Sequence, residues 1–272
     1  MVTFPNCKIN LGLNIIQKRT DGFHDLETVF YSIQIKDVLE IISASNTTDI
    51  QFSASGLAVD CNSTDNICFK AYHLLKKNFP KLPSIQMHLH KTIPMGAGLG
   101  GGSADGAFAL KMLNEKFNLN LTVQQLIDYA LQLGSDCPFF ILNKPCFATS
   151  RGQNMTEIEL DLSNYQFIIV NPGIHVNTGW AFKQITPSVP AKSIQQIINQ
   201  PIESWKDELI NDFELPVANQ FTAIADIKTQ LYAAGAIYAS MSGSGSTVFG
   251  IFKKEQNPQL QFPATYLVIK PQ

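Results

Sequence analysis

The sequence predicts an α+β fold divided into two domains, and three observations carry that expectation. Apolar residues recur at a period of two in some segments and at helical spacing in others. A chain of 272 residues is long enough to bury one large core or two ordinary ones. Between residues 150 and 163 the pattern is interrupted by Ser, Arg, Gly, Gln and Asn, which puts a boundary near residue 158 and the domains at 1–158 and 159–272.

The first element is a strand over residues 7–16, where Ile9, Leu11, Leu13 and Ile15 alternate with Lys8, Asn10 and Asn14. Lys8 and Asn10 share its polar face, and solvation is the usual fate of a lysine there. Arg19-Thr20-Asp21-Gly22-Phe23-His24 reads as a turn, and residues 26–42 as further strand. Asn62-Ser63-Thr64-Asp65 caps a helix to about Lys77, with Ile67, Ala71, Leu74 and Leu75 inward, and Asp65 and Asn66 serve its start.

Ile85, Met87 and Leu89 then alternate with Gln86, His88 and His90 until Pro94 stops ladder pairing. After a run of glycines, Ser103 is placed to cap a helix carrying Ala107, Leu110, Leu113 and Phe117. Thr122 and Gln125 form a capping box for a helix that buries Leu126, Tyr129, Ala130 and Leu133 and ends at Gly134. Pro138 suits the first position of the next helix, so Asp136 lies at a junction where an aspartate is ordinarily a cap. A strand at 166–170, helices at 178–185, 203–210 and 217–233, and strands at 237–241, 247–252 and 266–269 complete the chain.

Twenty Lys and Arg against 22 Asp and Glu give a net charge of −2 without a basic stripe, so nucleic acid is not an expected partner. Cys7, Cys61, Cys68, Cys137 and Cys146 are odd in number and lack C-x-x-C spacing, which indicates neither a disulfide framework nor a zinc site. No basic-then-apolar leader opens the sequence and no apolar run reaches the ~18 residues of a membrane span, so a cytoplasmic protein with no membrane partner is expected.

Pro94-Met95-Gly96-Ala97-Gly98-Leu99-Gly100-Gly101-Gly102-Ser103 packs five of the 17 glycines into seven residues. Glycine serves where the backbone must reach positive φ or be approached closely. A glycine loop between a strand and a helix start is a phosphate site, because unpaired N–H groups and the positive end of the helix dipole meet there. Gly96, Gly98 and Gly101 match G-x-G-x-x-G, but no acidic residue follows about twenty positions on in a βαβ unit, as a dinucleotide fold needs. The Gly-Lys pair of a Walker loop and the protein-kinase motifs are missing.

Three segments, Lys8-Ile9-Asn10-Leu11-Gly12-Leu13, Pro94 to Ala107, and Ser240 to Gly250, resemble in order the three motifs of the GHMP family of small-molecule kinases. The Arg19–His24 turn, the additional glycine in Gly98–Ser103, and Asn211-Asp212-Phe213-Glu214 narrow the resemblance to members acting on a cytidine-linked substrate. It implies ATP-dependent phosphorylation, with Mg2+, of the 2-hydroxyl of a methylerythritol unit joined to cytidine diphosphate, a step of the non-mevalonate isoprenoid route. It also implies an N-terminal lobe like the second domain of ribosomal protein S5 and a ferredoxin-like C-terminal lobe.

Carried onto this chain, the resemblance makes Asp136 the base and Lys8 its electrostatic partner. Pro94, Gly96, Ala97, Gly98, Leu99, Gly100, Gly101, Gly102 and Ser103 wrap the ATP phosphates, and no residue is assigned to the metal. Asn10, Phe23, His24, Thr178 and Phe182 fall to the substrate: His24 on the cytosine edge, Phe23 and Phe182 on its two faces. Phe23 stands where relatives usually have tyrosine, so stacking is kept and a hydroxyl is lost. The rival expectations are another GHMP kinase, for a mevalonate-type alcohol, homoserine or a sugar, and a nucleotide-binding regulator without turnover.

Overall fold

The structure, a computed structural model, describes residues 1–44, 49–58 and 63–271. Its elements in chain order are β1 (Val2–Thr3), β2 (Asn6–Lys18), β3 (His24–Lys36), β4 (Val38–Ser43), β5 (Ile50–Gly56), α1 (Ile67–Asn78), β6 (Ile85–Lys91), α2 (Gly101–Lys116), α3 (Val123–Leu133), α4 (Cys137–Leu142), β7 (Cys146–Ser150) and β8 (Asn154–Glu157). They continue with β9 (Tyr165–Asn171), α5 (Thr178–Lys183), α6 (Ile194–Ile198), α7 (Trp205–Glu208), α8 (Glu214–Gln220), α9 (Thr222–Ala233), β10 (Tyr238–Met241), β11 (Val248–Lys253) and β12 (Leu267–Ile269). The mixture is α+β, as the sequence predicts.

The chain packs as two units that interleave along the sequence. The first comprises Met1–Cys7, Gln34–Met95 and Gly100–Lys144; the second comprises Lys8–Ile33, Gly96–Leu99 and Pro145–Gln272. Residue 158, the expected boundary, falls inside the second unit, and the glycine stretch is shared along the chain by both.

In the first unit a sheet of order β1-β4-β6-β5 pairs β4 with β6 antiparallel and β5 with β6 parallel. On β6 the expected alternation holds: Ile85, Met87 and Leu89 are buried, and Lys91 follows on the same face. Helices α1, α2, α3 and α4 pack against one another.

The second unit holds two sheets, β2-β3-β7-β8 and β10-β11-β9-β12. The latter is antiparallel throughout, with α8 and α9 between β9 and β10, the strand order of a ferredoxin-like lobe except that the segment between β11 and β12 carries no helix. Leu13 and Ile15 of β2 join Ile168, Val170, Phe213, Val217, Ile227, Leu231, Met241 and Val248 in its core.

Several expectations are corrected. The strand expected over 26–42 is two, β3 and β4, broken at Asp37, whose fully buried carboxylate accepts the N–H groups of Thr92 (2.6 Å) and Ile93 (2.9 Å). The first long helix starts at Ile67 under an Asn66 cap, and Cys68 and Tyr72 turn inward in place of Ile67 and Leu74; Asn62 and Cys61 lie outside the described residues.

Ser103 does not cap α2. Gly100 does, at φ +68°, and Ser103 stands in the first turn. The capping box on α3 forms as expected, while Gly134 is extended at φ 172°. The supposed linker at 150–163 is largely the hairpin β7–β8, and β5 and α6 had no expectation at all.

Candidate active site

By its alternation alone, strand β2 would leave Lys8 solvated on the polar face it shares with Asn10. Residues Asn6 to Ile15 are instead buried almost without a break, with Lys8 3% and Asn10 2% exposed. Polar groups so placed must find partners. Within the second unit Lys8 Nζ donates to Asn10 Oδ1 at 2.5 Å and to the Gly98 carbonyl at 3.4 Å, and it lies 5.0 Å from the centre of the Phe30 ring. Asn10 Nδ2 donates to Thr28 Oγ1 at 3.0 Å, and that hydroxyl donates to the Gly12 carbonyl at 2.6 Å.

The same network reaches the other motifs. Ser242 Oγ accepts from Asn10 N (3.2 Å) and donates to the Gly98 carbonyl (2.8 Å), while Lys8 N donates to the Leu99 carbonyl (2.9 Å). Gly98 is at φ +83°, and a Cβ there would meet the Ser242 carbonyl oxygen at 1.9 Å; one at Gly245 would stand 2.3 Å from Gly98 N. Glycine at these positions is what lets two main chains touch. Asn211 holds the turn from beneath by donating to the Met241 (2.8 Å) and Gly243 (2.9 Å) carbonyls, and Glu214 accepts from Met241 N and Ser240 Oγ. The turn is also the expected hairpin, since β10 and β11 pair on either side of it.

In the first unit, Gly100 to Ser103 open α2, so the N–H groups of its first turn are the unpaired donors that a phosphate site requires. Ser103 is hydrogen-bonded to the thiol of Cys137, which burial pushes up to about 12. That contact joins the loop's last residue to the segment carrying Asp136. Asp136 stands at the N-cap position of α4, yet its carboxylate makes no capping bond, so the ordinary structural use of an aspartate at this junction is not the one taken.

The substrate residues separate into pairs. His24 stacks on Phe182 with ring centres 4.7 Å apart and planes at 20°, and Phe182 meets Phe213 edge-on at 4.8 Å. Phe23, 49% exposed, carries the Arg151 guanidinium 3.5 Å over its ring. Phe23 and Phe182 are thus each stacked on another side chain. Burial, with Lys18 assisting, lowers the His24 pKa, which keeps its imidazole neutral at pH 7 with one donor and one acceptor. Thr178 Oγ1 meets Ser244 Oγ of the third motif at 3.1 Å.

A separate cavity of about 540 Å3 in the second unit is lined by Lys206, Leu215, Lys228, Tyr232 and their neighbours, and neither Lys8 nor His24, Thr178 or Phe182 borders it. Thr28, Phe30 and Arg151 were missed from the sequence, and only Arg151, a charge in a supposed linker, gave any signal. Among the described residues no three His, Cys, Asp or Glu gather as a metal site, and no helix is long and apolar enough to cross a membrane.

Residues 66–144 match the GHMP kinases N terminal domain, and residues 192–261 match the GHMP kinases C terminal domain. The 4-diphosphocytidyl-2-C-methyl-D-erythritol kinase of Azobacteroides pseudotrichonymphae is 51% identical over 95% of this chain and 96% of its own length. The protein of the same name from Bacteroides fragilis is 49% identical over 98% and 97%. A crystal structure of 4-(cytidine 5'-diphospho)-2C-methyl-D-erythritol kinase superposes with a TM-score of 0.80 at 28% identity, covering 92% of this chain and 90% of that one.

Proposed function

The chain belongs to the GHMP kinases, and we propose that it carries out the reaction its relatives are named for: transfer of the terminal phosphoryl group of ATP to the 2-hydroxyl of 4-diphosphocytidyl-2-C-methyl-D-erythritol. The observation that carries this reading is the convergence at Gly98 of Lys8 from the first motif and Ser242 from the third. A nucleotide-binding shell without turnover has no use for a lysine buried against its own phosphate loop.

Phosphoryl transfer asks a protein for positioning and charge neutralisation more than for covalent chemistry. Main-chain N–H groups of Gly96 to Ser103 take the ATP phosphates. Lys8, steered by the Asn10 amide oxygen, supplies positive charge to the moving phosphoryl group. Asp136 accepts the proton of the attacking hydroxyl, and a weak base suffices because a loose transition state does not require early deprotonation. A divalent ion such as Mg2+ neutralises phosphate charge when bound, and ions of this kind are commonly held by the nucleotide with few protein ligands. The reaction needs only small molecules and suits the cytoplasm.

His24, neutral and backed by Phe182, offers the cytosine edge a donor and an acceptor, and Phe23 with Arg151 presents a flat cationic surface to the base. Asn10 and Thr178 contact the substrate through their polar ends.

An ADP-release assay with 4-diphosphocytidyl-2-C-methyl-D-erythritol, mevalonate, homoserine and a sugar tests the assignment. Turnover with the first substrate alone is expected; turnover with another alcohol, or ATP binding with no turnover, overturns it. Asp136→Asn is expected to bind both substrates and lose ~10²–10⁴ in kcat, the usual worth of a positioned acid or base. An unchanged kcat would remove Asp136 from the chemistry.

A further inference from the structure

Wholly inside the first unit lies an ionic cluster that the reaction described above does not use. The Lys91 side chain is completely buried, and its Nζ donates to Asp105 Oδ2 at 2.7 Å and to Asp37 Oδ2. The three side chains come from the end of β6, the first turns of α2 and the break between β3 and β4. One cation therefore faces two buried carboxylates.

Its position matters as much as its charge. Lys91, Thr92 and Ile93 are the last residues before the loop, and Gly101, where the loop enters α2, and Asp105, just beyond the loop, lie four apart on one face of that helix. Gly101 is seated so closely on this cluster that a Cβ there would lie 2.7 Å from Ile93 Cγ2 and 3.3 Å from Lys91 Nζ. Asp37 ties down the incoming end through the N–H groups of Thr92 and Ile93. The two flanks of the loop are joined to each other through Lys91.

We propose that Lys91 and Asp105, with Asp37, are positioning residues of the phosphate loop: they clamp its two ends so that the first-turn N–H groups of α2 stand ready for ATP, and they do so with Asp105 in its neutral, protonated form. The inference rests on the reading of this loop as the ATP site. Preorganising a binding loop raises affinity by removing the ordering cost from the binding step.

The protonation follows from counting charge. Asp37 accepts two main-chain N–H groups and the ammonium, the environment of an ionised carboxylate. Asp105 accepts from Lys91 and faces the Asp37 carboxyl at hydrogen-bonding range, and its Oδ1 has no partner among the described residues. A second buried negative charge would be uncompensated, which is far costlier than a neutral carboxyl. Burial accordingly raises the Asp105 pKa to about 8. The remaining titratable group facing it, the Cys68 thiol on α1, is held neutral by burial and the neighbouring carboxylates.

Calorimetric titration of the full chain with ATP, at pH 7 and pH 9, tests the clamp. Asp105→Ala is expected to weaken ATP binding roughly tenfold or more, because the ordering cost that the clamp removes returns to the binding step. Asp105→Asn, neutral and nearly isosteric, is expected to restore binding to near the wild-type level at pH 7. Wild type should bind ATP more weakly at pH 9 than at pH 7 by a factor that Asp105→Asn does not share.

Three results overturn the proposal: Asp105→Ala binding ATP as wild type does while only its melting temperature falls, Asp105→Asn being as weak as Asp105→Ala at pH 7, or the same pH ratio in wild type and Asp105→Asn. Should Asp105→Ala not fold, the pH comparison between wild type and Asp105→Asn decides alone. Failure of the wild type to bind ATP at either pH would instead sink the reading of the loop itself, and the clamp with it.

Discussion

Two lysines among the described residues are almost completely buried, and they meet the glycine stretch in different ways. Lys91 is bound to two carboxylates and fixes the residues on either side of the glycines. Lys8 reaches the loop itself, at the Gly98 carbonyl, and is aimed by an amide oxygen and an aromatic face. The difference separates a cation spent on architecture from one held at the backbone of the loop proposed to take the phosphates. The first should show in stability, the second in rate.

Lys91→Met breaks the buried cluster and leaves the Asp37 carboxylate without its cation. It is expected to cost about 3–5 kcal/mol of unfolding free energy in urea denaturation. Lys8→Met is expected to lower kcat by ~10²–10³, the usual worth of one electrostatic group at a developing charge, and to cost less stability than Lys91→Met. If the two variants prove interchangeable in both measurements, the distinction between the lysines fails.

Gly98→Ala sharpens the comparison from the loop's side. At Gly22, φ +86° with open space around it, alanine is expected to cost only the ~1–2 kcal/mol of a left-handed residue. At Gly98 the same strain is joined by a clash with the Ser242 carbonyl, which no rotamer relieves. Urea denaturation should show the larger loss at Gly98, and the KM for ATP should rise there and not at Gly22. Equal losses would mean that the contact between the second and third motifs bends without cost.

How much of this was legible depended on whether a residue's partner lay nearby in sequence. The capping box Thr122–Gln125 and the alternation over Ile85–Leu89 are local patterns, and both held. Lys8 and Asn10 were placed on one face correctly, but nothing local says that the face is covered; their burial comes from Gly98, Thr28 and Ser242, up to 232 positions away. Residues 26–42 are strand-forming throughout except Asp37, and that exception is bound to main chain 55 and 56 residues on.

One signal was overlooked. Lys91 falls in register with Ile85, Met87 and Leu89, and a lysine on the apolar face of a strand must be paired with acid if it is buried. Asp105, four residues beyond Gly101 on α2, was the available acid on the other side of the loop. Ser103 misled for the opposite reason: serine is a good cap, but a glycine at positive φ already opens this helix.

A further expected effect concerns pH and bears on the Lys91 side alone. Asp105 titrates at about 8 in the folded chain against ~3.9 when unfolded. Below about pH 4 both states hold the proton and its contribution is fully present; between about pH 4 and 8 the native state keeps a proton that the unfolded chain has released. Stability therefore falls with rising pH across that window, until the folded group also ionises. Asparagine cannot titrate, so the unfolding free energy of wild type minus that of Asp105→Asn should decline steadily from pH 5 to 8. A difference that stays level would place the ionised carboxylate in the cluster, and Lys91 would then be holding two negative charges at neutral pH, with no proton to balance them.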